Sequence, residues 1–161
     1  MYHIRPIQVQ DNAQLAQIIR QVSAEFGLAA ASGFAVADAS VDNLYAAYQD
    51  PQAHYWVIED QQGQILGGGG VAPLQGDHRI LEIQKMYFLA EIRGHGFAKQ
   101  ILQYAADFAQ QHGITQLYLE TTQQLGQAVK LYERVGFEHL TEPKGNTGHS
   151  HACEIWMAKT I

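Results

Sequence analysis

Residues 80–108 carry the pattern that most limits the fold. Residues 80–89 are mostly apolar and aromatic and lie between Gly76-Asp77 and a polar stretch at 91–96, which predicts a strand. Phe97, Ile101, Leu102, Ala105 and Phe108 then recur every three or four positions and share one face, which predicts a helix entered straight from the turn. A helix so tightly joined must lie back across the sheet. A further strand is expected at 115–121, and a strand, helix and strand of these lengths imply a right-handed crossover with the two strands parallel.

The turn itself reads Arg93, Gly94, His95, Gly96, Phe97, Ala98. N–H groups in the first turn of a helix lack an intrahelical acceptor and sit at the positive end of its dipole, so the backbone alone can hold a diphosphate there. Glycines keep Cβ atoms out of the way, and Arg93 offers a planar fork of donors suited to phosphate. Two familiar phosphate loops are excluded by the letters. No Gly-Lys-Ser/Thr ends the turn, and there is no third glycine at dinucleotide spacing followed by an acidic residue after a second strand.

Two segments resemble the GNAT superfamily of acyl-CoA N-acyltransferases. Arg93, Gly96 and Ala98 match its pyrophosphate loop, Arg/Gln-x-x-Gly-x-Gly/Ala, and residues 128–137 match its later helix and turn, A-x-x-L-Y-E-x-x-G-F, through Ala128, Leu131, Tyr132, Glu133, Gly136 and Phe137. One position departs from the pattern: an asparagine often found seven residues before the tyrosine is Leu125. The resemblance implies a single N-acetyltransferase domain over residues 1–161, an α/β (α+β) fold with a mixed central sheet flanked by helices, and acetyl-CoA as co-substrate with no metal. It implies cofactor contacts at Met86, Tyr87, Phe88, Arg93, Gly94, His95, Gly96, Phe97 and Ala98. It also implies Tyr132 as the acid that protonates the departing thiolate and Glu82 as the base. Dimers are frequent in this superfamily.

Composition narrows the classes further. A chain of 161 residues with 47% apolar content is enough for one core, and a net charge of −6 argues against a nucleic-acid partner. No apolar run approaches the roughly 18 residues of a membrane span, and no signal-peptide pattern opens the chain, so a cytoplasmic protein without a membrane partner is expected. The single cysteine, Cys153, excludes an internal disulfide and reads as a small buried residue.

The remaining segments follow from periodicity and punctuation. A strand is expected at 2–7, a helix begun by Asp11-Asn12 and stopped by Gly27, a loop or frayed helix over 28–40 broken at Ser32-Gly33, and a short helix over 41–49. Glu25, Phe26, Phe34, Asp38, Asp42, Tyr45 and Tyr48 lie where the resemblance implies the acceptor site. Residues 54–59 and 64–72 read as a hairpin, and Gly67 to Gly70 predict a bulge or a close approach of another group. A helix with the apolar face Leu125, Ala128, Val129, Leu131 and Tyr132 precedes a strand at 137–140. A last strand is expected over 151–159, along which His149, His151 and Cys153 alternate, too few ligands for a zinc site.

An amine with a pKa of about 10.4 must lose a proton before it attacks, so a base is needed. The expected reaction is acetyl transfer from acetyl-CoA to a primary amine of a small molecule or peptide, in a ternary complex. The competing expectation is an acyl-CoA-binding sensor or interaction module without turnover.

Overall fold

The computed structural model describes residues 1–28 and 33–161. The strands are β1 (His3–Pro6), β2 (His54–Glu59), β3 (Ile65–Leu74), β4 (Asp77–Phe88), β5 (Gln116–Thr121), β6 (Glu138–His139) and β7 (Ile155–Thr160). The helices are α1 (Asn12–Glu25), α2 (Leu44–Ala47), α3 (Phe97–Gln111) and α4 (Gly126–Arg134). All seven strands join one sheet in the order β1-β2-β3-β4-β5-β7-β6. Neighbours are antiparallel except β4 and β5, which run parallel, as the crossover through α3 requires.

Alternation along the strands gives the sheet two apolar faces. Tyr55 and Val57 of β2 pack with Leu15, Ile19 and Val22 of α1 and Leu44 of α2, while Trp56 and Ile58 pack with Ile101, Leu102 and Ala105 of α3. Asp11, expected to cap α1, does a different task. Its carboxylate, 2% exposed, accepts the Gln8 N–H at 2.7 Å and two Arg5 N–H groups at 2.8 and 3.0 Å, tying β1 to the start of the helix.

The expectation at Gly67 to Gly70 is met. A Cβ on Gly68 would lie 2.6 Å from a Tyr55 ring carbon, and one on Gly67 would lie 2.7 Å from the Phe88 ring, so the bare strand lets neighbouring aromatic rings cross it. Opposite this run the register shifts: Gly68 pairs with Tyr87, but Gly70 pairs with Gln84. The extra residue therefore belongs to β4, where Lys85 takes φ +50°, the one positive φ outside glycine among the described residues.

The parallel ladder is short. Leu81 pairs with Leu117 and Glu82 with Tyr118, and beyond them β4 continues to Phe88 with no β5 partner among the described residues, while β5 stays paired to β7 through its other edge. A notch opens between the two strands from Glu82 onward.

Three expectations need correcting. The second helix is a 3-10 stretch at Ala39–Asn43 followed by the single turn of α2. The last strand starts at Ile155, because His149 O accepts the N–H groups of Ala152 and Cys153, both at 2.9 Å, so His149, His151 and Cys153 lie in a turn and do not alternate along a strand. Of the loop expected at 28–40, residues 29–32 lie outside the described residues, while Ala35–Ala37 form a further 3-10 turn. Among the described residues no helix is long and apolar enough to cross a membrane.

Candidate active site

The mouth of α3 has the expected form. Gly94 and Gly96 adopt φ +79° and +85°, conformations that side chains rarely reach, and the space where their Cβ atoms would stand is open. The first main-chain hydrogen bond of this end runs from Gln100 N–H to Gly96 O at 3.1 Å. Among the described residues, the N–H groups of Gly94, His95, Gly96, Phe97, Ala98 and Lys99 find no acceptor. Six unpaired donors at the positive end of a fifteen-residue helix fit a diphosphate.

Arg93 departs from expectation. Its guanidinium is committed to Glu25 at the end of α1, with N–O distances of 2.6 and 2.8 Å, and to Phe88 O at 2.9 Å, and it lies 4.9 Å over the Phe26 ring. Its N–H is taken by Ala90 O. The side chain staples the loop to α1 instead of presenting a free fork to phosphate, and Glu25 and Phe26 are thereby accounted for as structural partners. The rings of His95 and Phe97 meet Tyr2 edge-on, at 6.0 and 5.9 Å. The side chains of Met86 and Phe88 pack on the α3 side of the sheet and Tyr87 on the α1 side, so what β4 offers a ligand in this stretch is its unpaired main-chain edge.

Glu82 stands at the point where β4 and β5 part. It is 8% exposed, and burial pushes its carboxyl up to about 7, against the pull of the Gln84 side-chain N–H that it accepts at 2.6 Å; the neighbouring Glu120 carboxylate adds to the rise. Gln84 is held in turn by the Tyr48 hydroxyl at 2.8 Å. A carboxyl titrating near neutrality takes and gives a proton at little cost.

Tyr132, buried on α4 with its ring 5.9 Å from that of Phe137, belongs to the cluster on the α3 side of the sheet. Burial, with the nearby Tyr87 phenol, pushes it up to about 12, so its hydroxyl keeps its proton at neutral pH. Glu82 faces the other side of the sheet, beside Gln84 and Glu120.

The sequence profile of the Acetyltransferase (GNAT) family matches residues 20–137. This chain belongs to that family. It is similar to the uncharacterized N-acetyltransferase YjgM of Escherichia coli (strain K12), at 47% identity over 98% of this chain and 94% of YjgM, and is itself an N-acetyltransferase. Its fold matches that of a GNAT-family acetyltransferase from Staphylococcus aureus Mu50, with a TM-score of 0.81, 16% identity and 99% of both chains covered. It also matches the PaiA N-acetyltransferase of Thermoplasma acidophilum solved in complex with coenzyme A, with a TM-score of 0.73, 14% identity, and 100% and 99% of the two chains covered.

Beside Glu82 this acetyltransferase has a cavity of about 270 Å³, lined among others by Asp38, Gln84, Lys85, Glu120, His149 and Cys153. Asp38 is the one residue of the expected acceptor set that lines it, and Tyr48 backs it through Gln84. Asp42 instead pairs with Arg20 on the surface, at 2.8 Å. Asp38 Oδ2 accepts from Lys85 Nζ at 2.8 Å and Oδ1 faces His149 Nε2 at 3.1 Å, joining the loop after α1, the β4 bulge and the turn before β7. Burial works to raise Asp38, but these two partners outweigh it and hold the carboxyl below its ordinary value. Burial pushes the Cys153 thiol up to about 12, which leaves it inert as a nucleophile. Sequence reading missed Gln84, Lys85, Glu120 and His149. A left-handed lysine leaves no mark in the letters, and the others meet Glu82 and Asp38 only through the folded sheet.

Proposed function

We propose that this acetyltransferase passes an acetyl group from acetyl-CoA directly to a primary amine held in the cavity beside Glu82, with both substrates bound together. The reading is carried by Glu82, a buried carboxyl titrating near 7 at the apex of the notch and open to the cavity. Bound acetyl-CoA supplies the electrophilic thioester carbon and a thiolate leaving group. The unpaired N–H groups from Gly94 to Lys99 hold its diphosphate, and the free β4 edge from Met86 to Phe88 pairs with its pantetheine arm as an added strand would.

Glu82 takes the proton from the acceptor ammonium, directly or through water, a contribution on the order of 10²- to 10⁴-fold in rate. A main-chain N–H near Phe88 stabilises the tetrahedral oxyanion. As the C–S bond breaks, Tyr132 gives its hydroxyl proton to the departing sulfur, and the second proton lost by the acceptor nitrogen returns to the phenolate through water. The raised thiol of Cys153 supports direct attack over an acetyl-enzyme. Initial rates with acetyl-CoA and an amine panel, following free thiol, should give intersecting double-reciprocal lines. Parallel lines, or acetyl-enzyme trapped without amine, would refute direct transfer, and absence of thiol release across the panel would refute the proposed acetyl transfer to a primary amine.

A further inference from the structure

We infer that the acceptor is a small zwitterion, an amino acid or close analogue, whose ammonium group faces Glu82 and Glu120 and whose acid group meets Lys85 and His149. This rests on the cavity beside Glu82 being the acceptor site.

Charge within the cavity is segregated, with Lys85 and His149 at one end and Glu82 and Glu120 at the other. His149 places Nδ1 2.9 Å from Gly33 O and Nε2 3.1 Å from the Asp38 carboxylate. Neither atom can donate, so each ring nitrogen is served best when it carries a proton and the imidazole is a cation. The Asp38 hydrogen bond raises the His149 pKa accordingly. Lys85 adds a second cation to the same single carboxylate, so the two cations share one direct ion-pair partner, while Glu82 feels both across the cavity. The Lys85 side chain is 7% exposed, and among the described residues one of its three N–H donors has a partner, Asp38. Buried donors seldom stay unpaired, and an acid group entering the cavity would take the other two.

At the other end the Glu120 carboxylate accepts three hydroxyls, from Tyr118 at 2.6 Å, Ser150 at 2.6 Å and Thr147 at 2.5 Å. Among the described residues neither it nor Glu82 has a cation within ion-pair distance. A simple amine would satisfy this negative end and leave the Lys85 donors unmet, and a diamine would set a further cation beside Lys85. A zwitterion satisfies both ends. The cavity, about 270 Å³, has room for an amino acid.

The test is a matched acceptor panel at saturating acetyl-CoA: amino acids, their carboxamides, their decarboxylated amines and 1,4-diaminobutane, read as free thiol. The amino acids should exceed the corresponding amides and amines in kcat/KM by roughly tenfold to a hundredfold, the worth of a lost charge-assisted hydrogen bond. Lys85→Gln and His149→Gln should each narrow that ratio to about threefold or less, with Lys85→Gly as a second variant because glycine accepts the φ of +50° without strain. Amides or diamines turned over as well as the amino acids would overturn the inference while leaving acetyl transfer standing. If nothing in the panel releases thiol, the transfer reading fails by itself, and calorimetric binding decides: tighter binding of amino acids than of their amides supports the zwitterion, and equal or no binding overturns it.

Discussion

Replacing Glu82 with Gln removes the proton acceptor while keeping nearly the same volume and a partner for Gln84. With the carboxyl at about 7, the wild-type kcat/KM should rise with pH through an inflection near 7 and level off above it. Glu82→Gln should lie about 10² to 10⁴-fold lower at pH 8 and lose that inflection. The same burial has a thermodynamic signature. A carboxyl whose folded value stands at about 7 against an ordinary 4.5 holds its proton more tightly in the folded state, so its contribution is intact below pH 4.5 and is lost as pH rises through 7. Ionising it in place costs about 3 kcal/mol. Urea unfolding should therefore show Glu82→Gln gaining stability over the wild type between pH 4.5 and pH 8, approaching about 3 kcal/mol at the upper end. A variant with an unchanged pH–rate profile, or with a stability difference independent of pH, would refute the assignment of Glu82 as a buried base.

Tyr132→Phe should lower kcat by about 10²-fold while the Kd for acetyl-CoA stays within about twofold, measured by steady-state rates and calorimetry. Gly96→Ala forces a side chain into φ +85° at the mouth of α3 and should cost about 1–2 kcal/mol of stability together with weaker acetyl-CoA binding. Gly63→Ala is the control, since it imposes φ +81° in the turn between β2 and β3, with open space around it, and should lower stability alone. Gly68→Ala drives a methyl to 2.6 Å from the Tyr55 ring and 2.7 Å from Trp56 O, and should lower stability by about 1–3 kcal/mol in urea.

The loop before α3 was legible because its constraints are local: two glycines set the turn, and the apolar period from Phe97 sets the helix. The hairpin of β2 and β3 was legible for the same reason. What escaped is what distance in sequence hides. Arg93 reads in sequence as a free fork of donors, and its pairing with Glu25, 68 residues away, is brought about only by the packing of α1 against β4. Glu82 could be named from the motif, yet its raised titration depends on Glu120 from another strand and on burial that no window of residues reports. The turn that displaced the expected start of β7 closes on His149 O, and the His149 side chain meets Asp38 across more than a hundred positions.

Because β4 and β5 share only two ladder pairs, backbone bonding scarcely joins the four-stranded meander to the three strands that follow. What fastens them is the apolar cluster beneath α3, which takes Trp56 and Ile58 from one part and Leu117, Leu119 and Met157 from the other. A smaller cluster of Leu74, Ile80, Tyr118 and Ala158 joins them on the other face, so the protein is a pair of panels laced at one corner and glued by side chains. A guest lying in the gap would act as mortar, slowing amide exchange along both lips and raising the melting temperature in step with its concentration.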